Sequence, residues 1–416
     1  AKASNGEICC SYLPDGRCDY SAAGTCEAGL EEYKKEYIDR IVRVLQKYDG
    51  KVPIVLVIEP DSLPNLSTNR GDRRCGNPAT VAAYTEGIAY AIRSIASATR
   101  SVTIYLDAGH GGWLGWKNNM QDFVKTIRGL GVAQHLRGFA TNVAGYQALG
   151  EICPEYDWCL PSQQHSGDAC CYDPCGLTAE WNPSQNELNY ALHLRKAMSE
   201  GIPGFVPRML IDTGRNGVAD ERSKCANWCN IRGAGVGLMP TTATANSEII
   251  DAYFWLKTPG ESDGCTEVLP SGESCPRFDT DCASADSIGS QPGEPRAPEA
   301  GQWFDYQIKQ LAENAHMASG GHSSPEPSPP VVRPDPTRTP GGQPEPSSPV
   351  DPVPTVPPGG RPASSNPFAV GVFYVNPSYS ESLNKSISSA EGSVKTTLES
   401  MRGVPSAYWL DKKSKI

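Results

Sequence analysis

No stretch of this 416-residue chain approaches the ~18 consecutive apolar residues that a membrane-crossing helix needs, so no membrane span is expected. Nor is there a basic run with interleaved aromatics. The formal net charge is −10, with Lys+Arg 37 against Asp+Glu 47, which leaves nothing for a nucleic-acid backbone to bind. No G-x-G-x-x-G follows any apolar run, so the dinucleotide-binding signature is missing. Histidine is scarce, 6 in all and scattered, and neither "CANWC" nor "CCYDPC" finds a matching pair at zinc-ligand spacing, so no metal is expected. The sequence begins at Ala1 with neither Met nor a signal peptide, and so reads as a processed chain or a fragment.

Cysteine, by contrast, is abundant. Fifteen of them outside any metal pattern point to disulfides and an oxidising, extracellular setting. Helical and strand periodicities also alternate. "EEYKKEYIDRIVRVLQKYDG" places Tyr37, Ile38, Ile41, Leu45 and Tyr48 at helical spacing and closes on Gly50, and "TVAAYTEGIAYAIRSIASA" repeats the pattern with Val81, Tyr84, Ile88, Ile92 and Ile95. Between them "VLVIEPD" runs apolar on both faces from Val55 to Ile58, then stops at Pro60 between two acids, Glu59 and Asp61. "VTIYLDAGH" ends the same way on Asp107, and "RMLIDTGRNG" on Asp212. Doubly buried strands alternating with helices predict a parallel sheet with crossover helices. Polar residues recurring at strand exits suit a distorted (β/α) barrel, whose chemistry sits at the C-terminal ends of its strands. A doubly wound sheet is the competing α/β reading.

Near residue 320 the composition changes. "SSPEPSPPVVRPDPTRTPGGQPEPSSPVDPVPTVPPGG" has no periodic apolar face and reads as an extended linker, able to span on the order of 130 Å as polyproline II. The expected organisation is a barrel over 1–320, a Pro/Ser/Gly-rich linker over 321–365 and a tail over 366–416. The tail holds one amphipathic stretch and one strand-like "AYWLD", too little to bury a core alone.

"VLVIEPDSLPNL", "YLDAGHGGWLGW", "GFATNVAGYQ", "ANWCN" and "KTPGESDG…CPRFDTDC", in that order, resemble the glycoside hydrolase family 6 cellulases, from Ala1 to about Ala318. The resemblance implies a secreted, inverting β-1,4-glucanase that needs no cofactor and acts on cellulose or another β-1,4-glucan, here as a monomer. It makes Asp61 the general acid and Asp263 the carboxylate proposed as base. It places Trp113, Trp116 and Trp228 against glucose rings, His110, Asn142, Lys257 and Glu261 on the sugar's polar groups, and Ser4 on a loop that helps hold the catalytic water. Inversion needs two carboxyls about 6.5–9.5 Å apart, one protonated and one ionised. From the residues alone, Asp61 could instead cap a helix after Pro60, Asp263 could sit in an ordinary turn, and the tryptophans could belong to a core.

The order of segments departs from that family. Its strand ending in Tyr-Asp-Leu-Pro, followed by Arg-Asp-Cys, would precede "ASNGE" and is absent, whereas "NPFAVGVFYVNP" and "VPSAYWLD" in the tail resemble the family's own first helix and first strand. The resemblance further implies a Cys229–Cys282 disulfide and leaves Cys75 without its partner, as a free thiol. Cys9, Cys10, Cys18 and Cys26, with Cys153, Cys159, Cys170, Cys171 and Cys175, lie in insertions expected to be stapled loops. Two histories fit: a slice of a tandem array, which needs fewer assumptions, or a circular permutant whose tail folds back. In the second case "AYWLD" should pair with the strand near residues 252–257, and Asp411 should point to the mouth. The tunnel-covering length of the Lys257–Cys282 segment favours a cellobiohydrolase-like enzyme, impaired by the missing segment. The competing reading is a catalytically silent glucan-binding or wall-associated module.

Overall fold

The structure is a computed structural model that describes residues 26–72, 76–317, 366–369 and 375–407. Helix α1 (Cys26–Glu32) runs through a π turn (Tyr33–Ile38) into α2 (Asp39–Tyr48), and strand β1 (Ile54–Ile58) follows. Then come α3 (Ser62–Asn69), α4 (Pro78–Ala98), β2 (Val102–Asp107), α5 (Gly111–Leu114), α6 (Lys117–Leu130) and β3 (Gly138–Thr141). The body closes with α7 (Glu187–Gly201), β4 (Arg208–Asp212), β5 (Ile250–Phe254) and α8 (Asp305–Glu313). The tail adds α9 (Pro377–Ser388) and α10 (Gly392–Ser400).

Asn77 caps α4 by accepting the Thr80 amide, with Pro78 at its first position, so the helix starts where its sequence sets it. Its Tyr84, Ile88, Ile92 and Ile95 are all buried against the sheet. In α2, Ile41 and Leu45 are buried while Tyr48, in the final turn, is half exposed.

All five strands are parallel and lie in the order β1-β2-β3-β4-β5, without the reversal that defines a doubly wound sheet. They form a curled, incomplete barrel. Its outer face meets the helices through Ile104, Leu106, Phe139, Met209, Ile211 and Ile250. Its inner face collects Tyr105, Ala140, Leu210, Ala252 and Phe254, and onto them packs Phe368 from the tail, 6.3 Å from the Tyr105 ring and 5.7 Å from Phe254.

β1 corrects one expectation. Ile54 to Val57 are only partly buried, although the run is apolar on both faces, because among the described residues β1 pairs with β2 alone and forms the edge of the sheet. A hydrophobic pattern reports the burial a strand would have in a closed barrel, and here no described strand lies on that side.

At the other edge the tail docks. Ser406 bridges Trp255 in parallel, and the Ala407 amide donates to the Trp255 carbonyl at 2.9 Å. The expected pairing is therefore found at its first residues; residues 408–411, and Asp411 with them, lie outside the described residues. Tyr379, Leu383, Ile387, Leu398 and Met401 bury against Trp255, Ile308 and Leu311 of the body. The Trp303 indole donates to Ser386 Oγ at 3.1 Å. This is the arrangement a fold-back requires, and a slice of an array has no need of it.

Leu398 is fully buried, so Leu398→Ala should cost about 2–5 kcal/mol. If the tail is part of the barrel's cooperative unit, calorimetry should show one transition moving down as a whole. A separate early transition above an unmoved main one would mean that the tail is an accessory.

Among the described residues five disulfides form: Cys153–Cys170, Cys159–Cys171, Cys175–Cys225, Cys229–Cys282 and Cys265–Cys275. The first two staple the insertion after β3, as expected, and the fourth is the pair the resemblance implied. Cys9, Cys10, Cys18 and Cys75 lie outside the described residues.

Candidate active site

The strand exits are tied to one another by their own acids. After β1 the chain turns sharply, with Glu59 at φ 42° and Asp61 at φ 70°, both in the left-handed region that non-glycine residues avoid. Asp61 stands at the N-cap position of α3, yet its side chain makes no capping bond there. The Asp61 amide donates instead to Asp107 Oδ2, at the exit of β2, at 3.0 Å. The same oxygen accepts the Gly109 amide at 3.1 Å, while Asp107 Oδ1 is buried without a hydrogen-bond partner among the described residues. Burial, and then the charge of Asp61, push the Asp107 carboxyl well above the usual carboxylate range.

Asp212, at the exit of β4, binds three strand exits together. Its Oδ2 accepts the amides of Ala144 (3.0 Å) and Lys257 (2.8 Å), and its Oδ1 those of Gly214 (2.9 Å) and Leu256 (3.2 Å). Burial nevertheless raises it to about 6.

Asp263 lies buried on the loop beyond β5. Its Oδ2 accepts three donors: Arg215 Nη1 at 2.7 Å, Tyr146 Oη at 2.8 Å and the Asn230 amide at 2.9 Å. Arg215 also bonds the Ala144 carbonyl and lies over the Tyr146 ring, 4.3 Å from its centroid. Burial would raise the Asp263 carboxyl, but the charges of Arg215 and Lys257, with the bonds from Arg215 and Asn230, outweigh it and hold it below its usual value. One oxygen is thus saturated. The other, Oδ1, receives no hydrogen bond among the described residues. A carboxylate held through one oxygen in this way can accept a proton at the other.

The remaining predicted residues fall into three groups. His110, Trp113 and Trp116 stand on the short turn around α5. His110 and Trp113 rings lie 6.0 Å apart, and the Trp113 indole donates to Thr68 Oγ1 at 3.2 Å. Burial and the Arg222 cation push His110 down to about 3, so its ring is neutral at any working pH. Glu187 accepts the Gly111 amide at 2.9 Å and holds this turn; burial raises it to about 7. Trp228, half-buried, donates to Asp281 Oδ2 at 2.6 Å, beside the Cys229–Cys282 bond.

Lys257, Glu261 and Asn142 are placed more deeply. Lys257 Nζ donates to the Ser262 carbonyl at 3.3 Å and sits 3.8 Å from Glu261 Oε2, and its pKa is lowered by burial. Asn142 is fully buried: its Nδ2 donates to the Asp212 carbonyl at 3.0 Å and its Oδ1 accepts the Gln147 amide at 3.1 Å. It therefore braces the turn that carries Tyr146, rather than offering a group to a ligand. Ser4 lies outside the described residues.

Sequence reasoning passed over Tyr146, Arg215 and Asn230, whose roles rest on contacts across long stretches of chain. Asp107 and Asp212 were visible as strand-exit acids, which is the signal that also found Asp61.

The sequence profile described as Glycosyl hydrolases family 6 matches residues 7–315. "Exoglucanase 3" of Agaricus bisporus is 37% identical over 314 residues, 74% of this chain and 62% of that protein. "1,4-beta-D-glucan cellobiohydrolase CEL6C" of Podospora anserina is also 37% identical, over 73% of this chain and 69% of its own length. The chain thus spans less than two thirds of the first of these relatives. Among solved structures, the CcCel6A catalytic domain complexed with p-nitrophenyl β-D-cellotrioside is 36% identical with a TM-score of 0.55, over 72% of each chain. By sequence profile, by relatives and by its curled parallel sheet, the chain belongs to glycosyl hydrolases family 6.

Proposed function

We propose that the chain is a secreted, cellobiohydrolase-like enzyme that cleaves β-1,4-glucosidic bonds of cellulose with inversion, using Asp61 as general acid and Asp263 as general base. The observation that carries this reading is the Asp263 clamp: three donors on Oδ2, none among the described residues on Oδ1, and a carboxyl held ionised by Arg215 and Lys257. Relatives named as exoglucanase and cellobiohydrolase support the substrate class.

In the step itself, Asp61 gives its proton to the glycosidic oxygen as the bond from that oxygen to the anomeric carbon breaks. A water on the opposite face forms the new bond to the same carbon and passes its proton to Asp263 Oδ1. The anomeric configuration inverts, and the two carboxyls exchange protonation states through solvent before the next cycle. Neutral His110 and the Trp113 and Trp116 rings offer a flat, weakly polar wall suited to the C–H faces of glucose. Asp107, buried behind Asp61 and joined to its backbone, fixes the turn that aims the acid.

Turnover is expected to be low, because among the described residues no strand stands on the free side of β1, next to Asp61. Cellotetraose hydrolysis followed by proton NMR tests the reading. Newly released ends should appear first as the α-anomer and mutarotate later. Release as the β-anomer, or binding of cello-oligosaccharide with no cleavage, would overturn it.

A further inference from the structure

The insertion after β3 carries an unusual side chain. Trp181 is 61% exposed, the most exposed large apolar side chain among the described residues, although burial is the rule for an indole. It stands at φ 58°, a left-handed position that a bulky residue adopts only when its surroundings enforce it. Those surroundings are plain. The Trp181 and Asn182 amides donate to the Thr178 and Leu177 carbonyls, each at 3.0 Å, and Leu177 is buried. Thr178 is held in turn by Asp173 Oδ2 through its amide (2.7 Å) and its hydroxyl (2.8 Å). The Cys175–Cys225 disulfide ties the same loop to the segment bearing Trp228.

The next residue joins this loop to the tryptophan turn. Asn182 is fully buried and its Nδ2 donates to the Gly111 carbonyl at 2.9 Å. Its Oδ1 lies so near Gly115 that a Cβ there would come within 2.3 Å of it. Trp113 and Trp116 flank that contact on the α5 turn. Trp181 is one residue, ~3.8 Å along the backbone, from this anchoring side chain. Trp181 is therefore carried on a loop anchored to the turn that bears Trp113 and Trp116.

We infer that Trp181 is a stacking platform for a β-1,4-glucan chain lying beyond the cleavage site, an extension of the binding surface contributed by the disulfide-stapled insertion. The inference rests on the glucan reading of the site but concerns binding alone. An exposed indole face matches the C–H face of one pyranose, and a preorganised ring loses little freedom on binding. A protein partner would need several hundred Å² of contiguous apolar surface, whereas the residues just before Trp181, Ala179 and Glu180, present one small side chain and a charge.

Adsorption isotherms of the full chain on insoluble cellulose decide it. Trp181→Ala should bind about threefold to tenfold more weakly, and Trp181→Phe, which keeps a stacking ring, should return to within about twofold of the parent. The Phe variant also guards against simple misfolding, since both variants replace the indole at the same left-handed position. Equal adsorption of parent and Trp181→Ala overturns the inference, as does a Phe variant as weak as Ala. A shift from dimer to monomer in Trp181→Ala with unchanged adsorption would make the ring a protein contact, and overturns it too. A parent that adsorbs through Trp181 but releases no sugar would refute hydrolysis and leave the platform standing.

Discussion

Asp61→Asn is expected to slow hydrolysis of cellulose by about 10²- to 10⁴-fold, with far less loss on an aryl cellobioside whose leaving group needs little protonation. The reason lies in what the substitution spares. Asn tolerates the left-handed backbone at position 61, φ 70°, better than almost any other residue, so the turn and its amide bond to Asp107 survive. Only the transferable proton goes. Paired rate measurements on the two substrates, with a melting curve to show an intact fold, check it. Equal losses on both would remove Asp61 from the acid's role.

Arg215→Met should be the most destabilising single change at the site. Arg215 and Asp263 form a 2.7 Å ion pair, and both side chains are almost completely buried. Removing one partner of such a pair leaves a buried charge and costs about 3–5 kcal/mol. The sign with pH follows from the two states of Asp263. In the parent its pKa is held below the unfolded value, so it contributes stability above pH ~4, and that contribution is lost as pH falls through the folded value. In the variant burial dominates and the carboxyl rises above its unfolded value, so a cost grows as pH climbs past ~4. The gap in melting temperature between parent and variant should be widest at pH 7 and narrow toward pH 4. A gap that is constant with pH would mean that the loss is one of packing alone.

How far the sequence could foretell this site depends on distance along the chain. Asp61, Asp107 and Asp212 were legible because each ends an apolar strand, and parallel strands must bring their ends to one rim. Asp263 was legible only through its motif, because its three donors come from Tyr146, Arg215 and Asn230, set 117, 48 and 33 residues away. No periodicity announces such a meeting. Asn142 shows the opposite limit: its identity fits a ligand contact, but its geometry makes it a brace. In β1 the apolar pattern spoke for burial on both faces, since a strand carries no record of whether its neighbour is present; the missing neighbour was legible only from the order of the segments. The pairing of Cys153 with Cys170 and of Cys159 with Cys171 could not be read either, as adjacent cysteines offer each partner loops that differ by a single residue.

The docking of Ser406 against Trp255 has a consequence for how this chain can change over generations. Body and tail are held by their own packed surfaces, so the proline-rich stretch between them need only be long enough to reach. Closing a flexible loop costs just about 0.6 kcal/mol more for each doubling of its length. That stretch is therefore the place where lengthening, shortening or the grafting of a whole new module would disturb the barrel least. A lineage carrying this order of segments can alter the linker freely, while its strand exits stay bound to one another by Asp107 and Asp212.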